Sequence, residues 1–191
     1  MTASSGNILG LDPGTRDLGW AVISPSCRVL ELGVVHQERD DSFAKSTDRQ
    51  ARVHVQSALI RDLVRRHQVR GVVAEAASFN PRRFTMAVGL CMSIGALTGA
   101  AAALELELYE LPPKRWQAAI LGREPNAKGK IDYDEVFRRV AAYVGDGGSW
   151  EASVQLAAIP AARRNHALDA VGVGVFAAAR PDEVTRIGER K

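Results

Sequence analysis

The first apolar run of the chain, Asn7 to Leu11, stops at Asp12-Pro13-Gly14, the pattern of a strand that ends in a turn. Leu18 to Ser24 and Arg28 to His36 repeat it on either side of Pro25-Ser26, so a three-stranded meander is expected. From about Ala44 to His67 the residues Val53, Leu59, Ile60, Leu63 and Val64 recur at helical spacing with Arg and Asp opposite, which predicts a helix with one exposed face. Gly71 to Ala74 reads as a short strand delivering Glu75. Beyond Asn80-Pro81, the 21 residues from Phe84 to Leu104 carry no charge. That length would reach across a bilayer. Its Ala, Gly, Ser and Thr content, between two predicted strands, instead predicts a buried central helix, with Gly95 and Gly99 allowing close approach to a sheet or a neighbouring subunit.

Leu106 to Leu111 makes a fifth strand, and past Pro112-Pro113 three helical stretches follow at Lys114–Leu121, Asp132–Val144 and Asn165–Ala179. The order βββαβαβ and then helices predicts an α/β fold. Its sheet is five-stranded and mixed, with strands 1–3 antiparallel, strands 4 and 5 parallel, and helices flanking it. Residues 1–6 read as a flexible arm, 7–180 as one domain and 181–191 as a polar tail.

Composition narrows the class. The 191 residues are 46% hydrophobic and 25% charged, values that exclude wholesale disorder and fit one globular domain. Cys27 and Cys91 form no CxxC or Cys/His cluster, which argues against a disulfide framework or a thiolate zinc site and for a reducing cytoplasm. The opening MTASSG has neither the basic nor the apolar part of a secretory leader, and no membrane association is expected. A net charge of +3 permits a polyanionic partner without requiring one. Basic residues lie in scattered groups: Arg65/Arg66, Arg82/Arg83, Lys114/Arg115, Lys128/Lys130, Arg138/Arg139 and Arg163/Arg164. Any one of these pairs reads first as a solvated face.

Three acidic positions carry the candidate chemistry. Asp12 stands at the carboxyl end of strand one, where open α/β sheets place their ligands, although Asp-Pro-Gly is also a common turn. Glu75 ends the fourth strand after three apolar residues. If those strands are neighbours the two carboxylates lie side by side, and that proximity is unfavourable unless a cation separates them. His166 and Asp169 are three apart and share one face of an otherwise apolar helix. Singly, each fits the first turn of a helix. Together, three acids at sheet ends or on a buried helix, with no matching buried Lys or Arg nearby in sequence, suggest an oxygen-rich site for Mg²⁺ or Mn²⁺. Two such ions clamp both the attacking and the leaving oxygen of a phosphodiester, which makes hydrolysis the expected reaction.

The blocks LGLDPGTRDLGWAVI (Leu9 to Ile23), VVAEAASF (Val72 to Phe79) and NHALDAVGVG (Asn165 to Gly174) resemble the three catalytic blocks of RuvC-type Holliday junction resolvases, within the ribonuclease H-like superfamily. The likeness runs from about Ile8 to Ala179. It implies a ribonuclease H-like nuclease that cuts four-way or other branched DNA as a homodimer, alongside branch-migration machinery. It further implies two Mg²⁺ ions per site, with Mn²⁺ substituting: Asp12 bridges them, Glu75 holds one and Asp169 the other, while His166 ligates a metal or orients the attacking water. By the same resemblance Lys130 or Lys128 meets the scissile phosphate, Lys114 and Arg115 lie on the DNA backbone, and Phe79 acts at the junction centre; Arg82 and Arg83 are further candidates for DNA contact. Phe79 stands four residues after Glu75, where some relatives have three. The opening block also resembles the pre-16S ribosomal RNA nuclease family, whose last acidic block does not usually read His-x-x-Asp. That RNA-processing activity is the alternative, with a non-catalytic branched-DNA binder behind it. An actin-like ATPase needs two such domains and is disfavoured.

Overall fold

The computed structural model describes residues 6–38, 42, 45–76, 84–122, 132–144 and 151–187. Strands β1 (Asn7–Asp12), β2 (Asp17–Ile23) and β3 (Val29–His36) form the antiparallel meander. Helix α1 (Lys45–His67) leads to β4 (Val69–Glu75), and α2 (Phe84–Ala103) leads to β5 (Glu107–Leu111), with β4 parallel to both β1 and β5. Four helices follow: α3 (Pro113–Leu121), α4 (Tyr133–Val144), α5 (Glu151–Ala158) and α6 (Arg164–Ala179).

The sheet has six strands where five were expected. Its order is β3-β2-β1-β4-β5-β6, and the sixth strand, β6 (Thr185–Arg186), pairs antiparallel with β5 from within the segment expected to be a polar tail. Two exposed residues carry no legible pattern; a free edge on β5 recruits them. Helix α5 was also not predicted. Its Gln155 Oε1 accepts the backbone N–H of Leu32 at 2.8 Å, covering part of the outer edge of β3.

Side-chain alternation along the strands divides the interior into two cores. Leu9, Leu11, Val72 and Ala74 pack with Ile60, Leu63 and Leu97 under α1 and α2. Ile8, Val73 and Tyr109 pack with Trp116, Val136, Val171 and Phe176 beneath α3, α4 and α6. Helices on both faces explain why β1 and β4 read as nearly continuous apolar runs. Residues 167–177 of α6 are all buried, and the helix lies directly on β1, because a Cβ at Gly10 would collide with the carbonyl of Ala170.

Helix α2 departs from the buried central helix expected. Leu97 and Ala101 face the sheet, but Cys91, Gly95 and Gly99 are exposed, and a Cβ built at either glycine meets nothing within 4 Å. Its outer face is apolar and uncovered. No helix among the described residues is long and apolar enough to cross a membrane.

Candidate active site

Strand parity aims the first two acids. Asp12 lies on the same face as Ile8 and Gly10, and Glu75 on the same face as Val73, so both project toward α6. The parallel register Leu11↔Ala74 then brings Asp12 beside Glu75 at the carboxyl ends of the two central strands. Helix α6 starts over this same end: a Cβ at Gly19, the partner of Asp12 across β1/β2, would strike the backbone carbonyl of His166. One helical turn later, Asp169 enters the same space.

The four side chains interact. His166 Nδ1 and Asp12 Oδ2 are 2.6 Å apart, and this hydrogen bond raises the imidazole above its ordinary range against the opposing effect of burial. Burial lifts Glu75 to about 7, with the Asp12 carboxylate adding to it. Burial also lifts Asp169 to about 8, with the charges of Asp12 and Glu75 next. Among the described residues no Lys or Arg is ion-paired to these three carboxyl groups, so His166 supplies the compensating positive charge.

Each carboxyl group has a hydrogen-bond partner: Asp12 meets His166 and Glu75, and the other two have donors of their own. Trp116 Nε1 donates to Glu75 Oε1 at 2.9 Å, and the Tyr133 hydroxyl donates to Asp169 Oδ2 at 3.1 Å. Asp169 Oδ1 is buried without a partner. A buried carboxylate oxygen left unpaired is costly, and a hard divalent cation is the ligand that three clustered carboxylates and an imidazole suit. The residues therefore fit a metal centre. Among the described residues no three of these side chains already converge on one cation position. Asp12 is turned to His166 and Glu75, Glu75 also to Trp116, and Asp169 to Tyr133.

Asp17 adds a second ring of charge. Its Oδ1 lies 2.7 Å from His36 Nδ1 and 3.6 Å from Arg163 Nε, and its negative charge contributes to the raised proton affinity of His166. The turn between Asp12 and Asp17 is held from α1 and α2, where Gln56 Nε2 and Ser93 Oγ donate to the Gly14 carbonyl at 2.9 and 3.3 Å.

Of the residues expected from sequence, Asp12, Glu75, His166 and Asp169 come together. Lys114 and Arg115 are exposed at the start of α3, lining a surface groove with Phe176, Arg180 and Glu183, and Arg115 donates to the Glu183 carbonyl at 2.7 Å. That groove adjoins the far end of α6 from His166. Phe79, Arg82, Arg83, Lys128 and Lys130 lie outside the described residues. Trp116 and Tyr133 were not anticipated. A signal existed for each: Trp116 sits one turn into a helix opened by Pro112-Pro113 at the sheet end where Glu75 stands, and Tyr133 follows Asp132, which has Glu135 three residues on, as in a capping box.

The sequence profile of the family described as "Crossover junction endodeoxyribonuclease RuvC" matches residues 8–137. The chain is 31% identical over 133 residues to the RuvC of Paracoccus denitrificans, covering 66% of this chain and 74% of that one. To the RuvC of Oleidesulfovibrio alaskensis it is 28% identical over 153 residues, 78% and 84% of the two chains. In structure it is similar to T. thermophilus RuvC in complex with Holliday junction substrate, with a TM-score of 0.71 at 21% identity over 95% of this chain and 99% of that one. It is also similar to the yeast mitochondrial Holliday junction resolvase Ydc2, with a TM-score of 0.60 at 13% identity over 91% and 78%. The family profile covers more than half of the chain, from the meander through the parallel strands into α4: the chain belongs to the crossover junction endodeoxyribonuclease RuvC family.

Proposed function

We propose that this chain is a structure-selective DNA endonuclease that resolves four-way junctions by metal-dependent phosphodiester hydrolysis, with Asp12, Glu75, Asp169 and His166 holding two Mg²⁺ ions for which Mn²⁺ substitutes. The carrying observation is that three carboxyl groups and one imidazole from three separate parts of the chain are brought to one end of the sheet, where Asp169 keeps one buried oxygen without a partner. Bound divalent ions supply an acidified water and neutralise charge on the phosphate. Asp12, between His166 and Glu75, is the group suited to bridge. His166, already held at 2.6 Å by Asp12, keeps a positive charge beside that carboxylate in the metal-free protein and orients or ligates when the charge is supplied otherwise.

The remaining parts of the proposal extend from this centre. Lys130 or Lys128 meets the scissile phosphate, Arg82, Arg83, Lys114 and Arg115 track the backbone, and Phe79 stacks at the junction centre. A four-way junction has an approximate two-fold axis, and paired nicking requires two sites related by it, which an isologous homodimer provides. The uncovered outer face of α2 around Gly95 and Gly99 supports an interface there. Branch-migration machinery is the expected accessory partner.

A labelled four-way junction incubated with the protein, with and without Mg²⁺, tests this directly. Asp12→Asn, Glu75→Gln and Asp169→Asn are each expected to abolish cleavage and to retain junction binding, since loss of a carboxylate removes a ligand but also a repulsion toward phosphate. Near-normal turnover by any of the three would overturn the assignment. Cleavage of precursor ribosomal RNA but not of the junction would favour the RNA-processing alternative.

A further inference from the structure

We infer that Trp116 and Tyr133 are positioning residues of the metal centre, each fixing one oxygen of a carboxylate so that the other is presented to a cation. The inference rests on the metal-dependent reading above and assigns roles in it to two residues of α3 and α4.

Trp116 is fully buried, and a buried indole N–H requires an acceptor. Its acceptor is Glu75 Oε1 at 2.9 Å. The ring has little freedom to leave that position. It lies against the backbone of α6 at Gly172, where an added Cβ would come within 2.6 and 2.7 Å of Trp116 Cε3 and Cζ3. Gly172 is three residues beyond Asp169, so one face of α6 delivers an acid to the site and also seats the ring that holds a second acid. Only a residue without a side chain leaves room for this.

Tyr133 is held from its own helix terminus. Asp132 Oδ1 accepts the backbone N–H groups of Asp134 and Glu135 at 3.0 and 3.4 Å, fixing the first turn of α4 and with it the position of Tyr133. The hydroxyl donates to Asp169 Oδ2 at 3.1 Å, leaving Oδ1 as the buried oxygen without a partner. The two carboxylates need such donors. Each donor occupies one carboxylate oxygen and so sets which way the group faces. Outer-shell groups of this kind usually change metal affinity by about 10- to 100-fold when removed.

The test is Mn²⁺ binding, followed by the loss of the free-ion electron paramagnetic resonance signal, in the wild type and in Trp116→Phe and Tyr133→Phe. Both substitutions keep an aromatic ring and delete the donor. Each is expected to weaken Mn²⁺ binding by about tenfold or more while metal-free junction affinity stays within twofold of wild type. Gly172→Ala is expected to reproduce Trp116→Phe, because it dislodges the ring from its seat. If Trp116→Phe does not fold, as shown by circular dichroism, Tyr133→Phe carries the test alone, since it removes one hydroxyl from a half-buried ring. Mn²⁺ binding within twofold of wild type in a folded Tyr133→Phe would overturn the inference and leave the nuclease reading standing. A wild type that takes up no Mn²⁺ would overturn the metal-dependent reading and this inference with it.

Discussion

Replacing Asp169 with asparagine in the metal-free protein is expected to stabilise it at pH 8 and to leave it nearly unchanged at pH 5. Burial, with the charges of Asp12 and Glu75, keeps this carboxyl protonated up to about pH 8 in the fold, whereas its ordinary value is 3.8. Between those limits the folded state retains a proton that the unfolded chain has released, so stability falls as pH rises through the window and levels off above about 8. At about 1.4 kcal/mol per pH unit, the loss between pH 5 and pH 8 is on the order of 4 kcal/mol. Asparagine does not ionise and escapes that loss. It still accepts from Tyr133, but it places an amide N–H₂ where Asp169 Oδ1 has no partner, which costs about 1–3 kcal/mol. The loss already incurred between 3.8 and pH 5, roughly 2 kcal/mol, offsets that cost, so the balance is a gain of about 4 kcal/mol at pH 8 and about zero at pH 5. For a chain of this size the gain at pH 8 corresponds to a Tm rise of roughly 10 °C. Calorimetric melts of both proteins in EDTA from pH 5 to 8.5 measure it. A Tm difference that does not change with pH, or a variant less stable at pH 8, would refute the argument that burial, with the charges of Asp12 and Glu75, keeps Asp169 protonated in the unliganded site.

Mn²⁺ or Mg²⁺ at a hundredfold excess over Kd is expected to stabilise the wild type by about 2.7 kcal/mol at pH 8 and Asp169→Asn by less, read from the same melts. Gly10→Ala drives a methyl group into the Ala170 carbonyl and is expected to cost about 1–3 kcal/mol, seen as a lower urea midpoint at unchanged slope. Junction affinity is expected to fall steeply with salt, with Lys130→Ala and Arg82→Ala each lowering the slope of log K against log salt by about one; an affinity insensitive to salt would contradict the proposed DNA interface. Gly95→Leu, on the exposed face of α2, is expected to reduce the light-scattering mass on junction DNA from two chains to one and to lose paired nicking together; paired nicking by a single chain would rule out the dimer.

Much of the site was legible along the chain because the chemistry sits where local pattern ends. An apolar run that stops at an acid marks the carboxyl end of a buried strand, as at Asp12 and Glu75, and an interval of three on an apolar helix places His166 and Asp169 on one face. These are properties of strand and helix periodicity, which a sequence carries in full. The same reading correctly separated the antiparallel meander from the parallel strands, since short turns permit the first and long helical crossovers the second.

Other features depend on which elements become neighbours. The sheet order, with β1 beside β4, turned two separate strand ends into one acidic pair. Packing of α3 and α4 against α6 brought the donors Trp116 and Tyr133 to Glu75 and Asp169, and no local spacing connects those pairs. The raised proton affinities of Glu75 and Asp169 likewise come from burial and proximity, which exist only after folding. Strand β6 and helix α5 form by covering the free edges of β5 and β3. The sequence alone determined the identity and facing of the acids, because periodicity acts over a few residues; tertiary structure decided their adjacency and their donors, because those contacts join parts of the chain separated by as many as 154 positions.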